Sequence, residues 1–185
     1  MGKLVVTEFI TLDGVMQDPG GAEKANFPRG GWAFDFDQGA DGRKFKFDEL
    51  MAADAQLLGR RTYEGFAAAW PKMNDNDFGK KMNEMPKYVV SSTLADPTWN
   101  NTTVIGFDDV AGLKEQFGNV LVAGSAQLVQ GLFERELVDE LRLMVFPVAL
   151  GQGKRLFAAD ADRSAFELVE AKQAGSVATL VLRRA

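Results

Sequence analysis

Short apolar runs alternate with segments of helical periodicity over the first three quarters of the chain, and this alternation constrains the fold most. Short apolar runs, most of them with β-branched residues, cover 3–10, 55–58, 87–91, 103–105 and 119–123, and helical patterns cover 39–53, 62–70, 109–117 and 126–135. Strands separated by helices pair in parallel into a sheet that is covered on both faces. A strand over 140–146 and a hairpin over 166–172 and 177–183 then change the pattern. We therefore predict an α/β fold in one domain, residues 1–185: a mostly parallel, twisted mixed sheet with helices on both faces and a C-terminal antiparallel hairpin.

The composition removes several kinds of chemistry. The 185 residues include no histidine and no cysteine, which excludes Ser-His and Cys-His catalysis and the usual zinc ligand sets. We therefore predict no metal site, and difficult chemistry would belong to a cofactor. A net charge of −5 argues against a general nucleic-acid or anionic-membrane surface. The N-terminus lacks signal-peptide regions and no run approaches the ~20 apolar residues of a membrane span, so we expect a cytoplasmic protein.

Two arginines stand where a helix should begin, directly after the apolar run 55–58 and Gly59. A helix N-terminus carries partial positive charge, so Arg60 and Arg61 in its first turn repel the helix dipole and each other unless an anion binds there. A phosphate group would resolve this conflict, because exposed N–H groups and two guanidinium groups all bind phosphate oxygens. The alternative is that both side chains point into solvent or pair with Glu64.

Three strand ends share small or hydroxyl residues: 59–62, 91–93 and 124–127. Open α/β sheets bind ligands at the carboxyl ends of their strands, so these segments should meet at one edge. Small residues at 124–126 would let a phosphate approach the backbone of a helix start, and the arginines with Ser91 and Ser92 would bind a second phosphate. Two phosphate sites fit a dinucleotide. The chain lacks the Rossmann glycine fingerprint and the P-loop, so the site would belong to another family.

A long stretch over 11–37 is rich in turn signals and also carries four aromatic residues. We predict a loop that its aromatic side chains anchor on the core. In the helix that follows, Phe47, Leu50 and Met51 share one face, which we predict to be the buried one. On that basis Asp48 is a solvated charge, and its alternative role is that of a substrate-binding carboxylate.

Six segments follow one another in the order and spacing of a known family. They are Thr11-Leu-Asp-Gly14, Leu58-Gly-Arg-Arg-Thr-Tyr63, Val90-Ser-Ser-Thr93, Val122-Ala-Gly-Ser-Ala-Gln-Leu128, Val138-Asp-Glu-Leu-Arg-Leu-Met-Val-Phe-Pro147 and Leu150-Gly-Gln-Gly-Lys-Arg-Leu-Phe157. Together they cover nearly the whole chain. They resemble the dihydrofolate reductase fold, and within it the C-terminal reductase domain of the riboflavin-biosynthesis deaminase-reductase RibD.

The resemblance implies NADPH as hydride donor, a small-molecule substrate and a homodimer. By analogy, one group of residues would hold the adenosine 2′-phosphate side: Arg60, Arg61, Thr62, Ser91 and Ser92. Gly59, directly before them, is also expected to bind the cofactor. A second group would hold the pyrophosphate: Gly124, Ser125, Ala126, Gln127 and Leu128. The nicotinamide would lie near Ile10, and the turn over 13–17, which includes Val15, would fold over it.

Departures from the family pattern leave the substrate open. Riboflavin-pathway reductases carry a lysine where this chain has Thr7, and an acidic residue in the loop that reads Gly151-Gln152-Gly153-Lys154 here. The companion deaminase activity is excluded because its zinc ligands are absent. Hydride reduction of a C=N or C=O bond also needs a proton, for which Asp13 is the candidate by sequence. The alternative for Asp13 is turn chemistry with Gly14.

Three functions are compatible with these residues. The first is an NADPH-dependent reductase of a pterin-like or ribosylaminopyrimidine-like heterocycle or of a carbonyl compound. The second is a dinucleotide-binding protein without turnover, for which the missing lysine and acidic residue argue. The third is a structural interaction domain, in which replacing both arginines would affect no ligand.

Overall fold

The computed structural model describes residues 1–23 and 25–185. The strands in this part of the chain are β1 (Lys3–Thr11), β2 (Ala55–Gly59), β3 (Lys87–Val90), β4 (Thr102–Ile105), β5 (Asn119–Ala123), β6 (Glu140–Phe146), β7 (Phe166–Ala174) and β8 (Val177–Arg184). The α-helices are α1 (Gly39–Met51), α2 (Arg60–Ala69), α3 (Asp77–Glu84), α4 (Val110–Gln116) and α5 (Ala126–Glu134). Helix α2 begins two residues earlier than the sequence predicts, so both arginines lie within its first turn.

The strands of the described residues form one sheet in the order β4-β3-β2-β5-β1-β6-β8-β7. The pairs from β4 to β6 are parallel, and β8 is antiparallel to both β6 and β7. This arrangement confirms the predicted α/β fold, including the C-terminal hairpin.

Two hydrophobic layers cover the sheet, one on each face. Successive strand residues point to opposite faces, so Leu4 and Val6 of β1 pack in a cluster with Leu132 of α5. Val5 faces the other way and packs in a cluster with Leu50 of α1 and Tyr63 of α2. Helices α1, α2 and α3 thus lie on one face and α4 and α5 on the other. In the described ranges, no helix is long and apolar enough to cross a membrane.

The central strands end at different heights, which leaves a notch at the carboxyl edge of the sheet. The register of β1 with β5 runs from Lys3 to Thr7 and stops where β5 ends at Ala123. Beyond that point β1 continues to Thr11, and among the described strands it is paired there with β6 alone. By the register of β2 with β5, the last residue of β2, Gly59, is level with Gly124. Above Gly124 the edge of β1 that faced β5 therefore borders the starts of α5 and α2. Because β1 and β5 lead to helices on opposite faces, this notch is the topological switch point where ligands bind in open α/β sheets.

The loop over 11–37 is anchored by its aromatic residues, as predicted. Phe27 and Trp32 are buried, and the Trp32 ring packs edge-on against Phe146 at the end of β6, with 5.2 Å between ring centroids. The Trp32 indole N–H also donates to the Gln17 carbonyl over 2.9 Å. Phe34 is the exception, because its side chain is exposed.

The predicted buried face of α1 is wrong in one residue. Leu50 is buried, but Phe47 is 39% exposed. Glu49 is buried in its place, with only 2% of its surface exposed. Apolar periodicity placed Phe47 on this face because it considers only apolar residues. It could not reveal that Glu49 has polar partners there, Thr7 of β1 and Lys46, which make its burial tolerable.

Candidate functional site

The starts of α2 and α5 lie side by side at the carboxyl edge and are tied together. The Gly59 N–H donates to the Ser125 hydroxyl over 2.8 Å. A Cβ placed on Gly124 would lie 2.9 Å from Cγ2 of Thr62 and 3.0 Å from its Oγ1. Gly124 also has φ +61°, a conformation that favours glycine. The structure therefore brings together two of the three junctions that the sequence selected.

Both helix starts leave their first N–H groups available. Gly59, the N-cap residue of α2, has no side chain to accept a bond. Ser125, the N-cap residue of α5, forms no capping hydrogen bond within the described residues, since its hydroxyl accepts from Gly59 instead. The first turn of a helix has no intrahelical acceptors for its N–H groups. The N–H groups of residues 126–128 and of the first turn of α2 therefore present two adjacent anion-binding positions.

The two arginines behave differently. Arg60 pairs with Glu64 one helical turn away, at 2.8 Å between Nη1 and Oε1, and both side chains are more than 40% exposed. An exposed pair of this kind contributes little and is readily exchanged for a better anion. Arg61 is exposed. The guanidinium group of Arg61 is thus available to a ligand. Arg60 instead pairs with Glu64, which was the alternative considered from the sequence.

The serines after β3 lie next to the start of α2, because Val90 of β3 pairs with Gly59. The Ser91 hydroxyl oxygen accepts from the backbone N–H groups of Thr93 and Leu94, at 3.1 and 3.0 Å. It therefore stabilises the local turn, and it also lies 3.5 Å from the Thr93 hydroxyl oxygen, at the limit of a hydrogen bond. Ser92 is exposed beside it.

Of the predicted nicotinamide residues, Ile10 lies in the part of β1 that extends beyond β5, and Val15 lies in the turn that follows β1. Ile10 is partly buried and packs against the α5-side core. Val15 is fully buried, and its backbone forms an isolated antiparallel bridge with Arg155. The turn over 13–17 is thereby attached to the glycine-rich loop over 147–156.

Asp13 is the main attachment between these two loops. Its carboxylate accepts hydrogen bonds from the Thr11 hydroxyl at 2.5 Å and from the N–H groups of Gly151 at 2.7 Å and Leu150 at 3.2 Å. The bond from Thr11, with those from the loop backbone, lowers the pKa of Asp13 to about 2. Asp13 is therefore an ionised acceptor near neutral pH, as expected of the turn chemistry that was its alternative role.

The acidic residues of α1 divide into a solvated and a buried one. Asp48 is half exposed and pairs with Lys44 at 2.5 Å. The neighbouring Glu49 is buried and accepts from the Thr7 hydroxyl at 2.6 Å and from the Lys46 ammonium group at 2.5 Å. Lys46 also donates to Thr7 over 2.5 Å. Thr7 stands where riboflavin-pathway reductases were expected to carry a lysine. In this chain the ammonium group of Lys46, from α1, contacts that residue.

Glu8 is a second buried carboxyl group that the sequence analysis missed. It is 5% exposed, and its Oε1 has no hydrogen-bond partner in residues 1–23 and 25–185. Burial raises the pKa of Glu8 well above its usual range; Lys46 opposes the shift and Glu49 adds to it. A signal was present in the sequence, because strand alternation puts Glu8 on the same face as Leu4, Val6 and Ile10.

A surface depression of about 720 Å³ lies at the opposite, amino-terminal edge of the sheet. Met1, Lys3, Lys114 and Phe117 are among its lining residues. It is remote from both helix starts. The anion-binding geometry and this depression are therefore separate features, and the helix starts are the candidate site.

Comparison with known families agrees with this geometry. The profile of the RibD C-terminal domain matches residues 2–180. The chain belongs to the RibD C-terminal domain family. Two Bacillus subtilis relatives named as uncharacterised proteins are similar in sequence. YyaP is 32% identical over 119 residues, which span 60% of this chain and 62% of YyaP. YwjB is 28% identical over 184 residues, covering 99% of this chain and 98% of YwjB.

Solved structures share the fold of this RibD C-terminal domain. A putative riboflavin biosynthesis protein from Shewanella sp. PV-4 superimposes with a TM-score of 0.75 at 19% identity, covering 99% of each chain. Acinetobacter baumannii RibD gives a TM-score of 0.66 at 17% identity, over all of this chain and 58% of RibD. A pyrimidine reductase-like protein from Corynebacterium diphtheriae gives 0.63 at 10% identity, over all of this chain and 92% of that protein. At these identities the likeness shows the fold alone.

Proposed function

We propose that this chain is a reductase that uses NADPH and acts on a small heterocyclic substrate, similar to a pterin or a ribosylaminopyrimidine, or on a carbonyl compound. The observation that carries the proposal is the pair of uncapped helix starts, tied together through Gly59, Ser125, Gly124 and Thr62. The names of structural neighbours, which include a riboflavin biosynthesis protein and a pyrimidine reductase-like protein, support a heterocyclic substrate.

The residues at the helix starts fit a phosphorylated dinucleotide. The N–H groups of residues 126–128 would hold the pyrophosphate. Gly124 fits this role because a residue with a Cβ at that position would crowd Thr62. Arg61, with Arg60 released from Glu64, would hold the 2′-phosphate. When bound, the cofactor supplies the hydride.

Apolar side chains at the same edge provide a surface for a substrate ring. Leu12, directly after β1, is 67% exposed, and Phe34 in the loop over 11–37 is 79% exposed. Exposed apolar groups at a ligand-binding edge typically contact ligands. We infer that these two side chains become covered when substrate binds.

A dinucleotide-binding protein without turnover is the second candidate. The two acids that the sequence selected, Asp13 and Asp48, both have other partners: the loop backbone for Asp13 and Lys44 for Asp48. A protein in which no other group supplies a proton would bind NADPH and reduce nothing.

The proposal extends to location and assembly. We expect a cytoplasmic protein that binds neither nucleic acid nor membrane, in keeping with its net charge of −5. We also expect a homodimer. Leu168 and Val169, on the edge strand β7, are 57% and 46% exposed and offer an apolar surface for a second copy.

The test is a fluorescence titration with NADPH and NADH, followed by an NADPH-oxidation screen over pterins, ribosylaminopyrimidines and simple carbonyls. We expect NADPH to bind on the order of tenfold more tightly than NADH or better, because charge-assisted contacts contribute about 1.5–3 kcal/mol each. The double variant Arg60→Ala with Arg61→Ala should lose this preference and keep its affinity for NADH. A matched control, Arg43→Ala with Arg163→Ala, removes two exposed arginines elsewhere and should keep the preference.

Each candidate predicts a different outcome. Turnover of any compound in the screen supports the reductase, and tight NADPH binding without turnover supports the second candidate. No binding of either cofactor would refute both.

A further inference from the structure

Glu8 lies at the floor of the notch. It follows Thr7, the last residue of β1 that is in register with β5, and so stands level with Gly124 where β5 turns away. Residues 8–11 of β1 are in register with β6 alone among the described strands. The notch above Gly124 therefore begins at the height of Glu8.

The side chain of Glu8 is built into the core but is not fully satisfied there. It is 5% exposed, and no described residue donates a hydrogen bond to its Oε1. Leu4 and Val6, which share its face, pack in the apolar cluster under α5. A buried polar oxygen without a partner costs free energy in a folded protein, so its presence at a candidate ligand site is consistent with a partner that the ligand supplies.

Other groups near the notch are already engaged. Asp13 is bound to the loop backbone, and Glu49 accepts from Thr7 and Lys46. The Tyr63 hydroxyl accepts from the backbone N–H of Trp99 on the α1 side of the sheet. The sequence holds no histidine or cysteine. Among the described side chains at this edge, Glu8 and Glu49 are buried acids with an unpartnered oxygen, Oε1 of Glu8 and Oε2 of Glu49. Glu49 is held in an ion pair with Lys46, whereas Glu8 stands level with Gly124 where the notch begins.

We propose that Glu8 is the proton donor of the reductase site, so that its carboxyl proton passes to the nitrogen or oxygen of the substrate's C=N or C=O bond. This assignment rests on the proposed function. As a hydride from the reduced nicotinamide dinucleotide forms the new C–H bond, the electron pair of the double bond takes the proton of Glu8 to form N–H or O–H. Glu8 is left as a carboxylate and takes a proton from water before the next turnover, and the dinucleotide leaves in its oxidised form.

The surroundings of Glu8 suit both halves of this cycle. Burial raises the pKa of Glu8 and so favours its protonated form, and Lys46 acts in the opposite direction. The Lys46 ammonium group would therefore stabilise the carboxylate that remains after transfer. Lys46 is itself held by Glu49 and Thr7, at 2.5 Å from each, so its charge is fixed in place.

The test compares the wild type with Glu8→Gln, which keeps the shape and cannot deliver a proton in this way. Glu115→Gln, an exposed change on α4, is the control. Infrared spectroscopy of the cofactor-free proteins at pH 7 should show a protonated carboxyl band that Glu8→Gln removes and Glu115→Gln retains. NADPH affinity, measured by fluorescence, should change less than twofold in both variants.

Single-turnover reduction gives the third measurement, with the first compound of the screen that the wild type reduces. Because general acids contribute about 10²–10⁴-fold to rate, Glu8→Gln should be slower by at least about 10²-fold. The wild-type step should slow in D₂O. If Glu8→Gln does not fold, Glu8→Met, which preserves volume, takes its place in all three measurements.

The failures of the two proposals are distinguishable. A wild type that neither binds NADPH nor reduces any compound refutes the proposed function and this assignment with it. A wild type that turns over while Glu8→Gln is equally fast overturns the assignment alone. A resting protein without the infrared band, or a large loss of NADPH affinity in Glu8→Gln, also overturns it.

Discussion

Replacing Gly124 by alanine tests the junction on which the proposed site depends. Its backbone has φ +61°, and forcing a residue with a Cβ into this region costs roughly 1–2 kcal/mol. The new Cβ would also lie 2.9 Å from Cγ2 of Thr62, closer than van der Waals contact, and relieving such crowding costs about 1–3 kcal/mol. We therefore expect Gly124→Ala to lose about 3 kcal/mol of unfolding free energy.

Thermal unfolding and NADPH titration measure the two consequences. For a chain of this length, about 3 kcal/mol corresponds to a fall in Tm of roughly 6–12 °C. The methyl group also crowds the space between the two helix starts, so NADPH affinity should fall on the order of tenfold or more. Adding Thr62→Ser, which removes Cγ2, should recover the crowding part of the loss in stability and leave the backbone part.

Gly65 provides the matched control for this substitution. It lies in α2, where a Cβ would meet nothing within 4 Å. Gly65→Ala should therefore stabilise the protein by about 0.5–1 kcal/mol, because glycine is unfavourable inside a helix. If Gly124→Ala were as stable as the wild type and bound NADPH equally well, the tight junction between α2 and α5 would be refuted.

Two further predictions concern groups that fix the framework. Lys87 is fully buried, and its ammonium group donates to the carbonyls of Asn83, Met85 and Asn100 at 2.8–3.1 Å. Lys87→Met should lower the free energy of unfolding, measured in urea, by about 3 kcal/mol or more, because it leaves these buried acceptors without a donor. A loss below about 1 kcal/mol would contradict this. The pKa of Asp13 falls from 3.8 to about 2 on folding, so its contribution to stability is complete above the unfolded value and is lost as the pH falls toward about 2. Melting curves of Asp13→Asn between pH 5 and about 2 should therefore fall less steeply than those of the wild type, and parallel curves would contradict the role of Asp13 in joining the loops.

The sequence was sufficient to predict the strands, the hairpin and the adjacency of two junctions, because these follow from periodicity and from the rules of parallel sheets. The bounds of β5 and β6 are those predicted, 119–123 and 140–146. Arg60 could not be settled in advance, since pairing with Glu64 and binding of an anion are both local options for the same side chain.

The buried carboxyl groups were not predicted, although the alternation of β1 already places Glu8 on an apolar face. Apolar periodicity gave the inner face of α1 to Phe47, whereas Glu49 takes it through contacts with Thr7, 42 residues away in sequence. Glu8 was overlooked because a charged residue in a strand is usually solvent-facing. The groups that act on Glu8 are Lys46 and Glu49 of α1 and the Gly124 backbone, all distant from it in sequence and brought together only in the folded chain.

A crystal structure with NADPH bound would show whether the two helix starts hold the dinucleotide. We expect pyrophosphate oxygens at 2.7–3.2 Å from the backbone N–H groups of residues 126–128 and the 2′-phosphate against Arg61, with Glu64 no longer paired to Arg60. A dinucleotide bound elsewhere, for example in the depression lined by Lys3 and Lys114 at the amino-terminal edge, with both helix starts left unoccupied, would refute the proposed site.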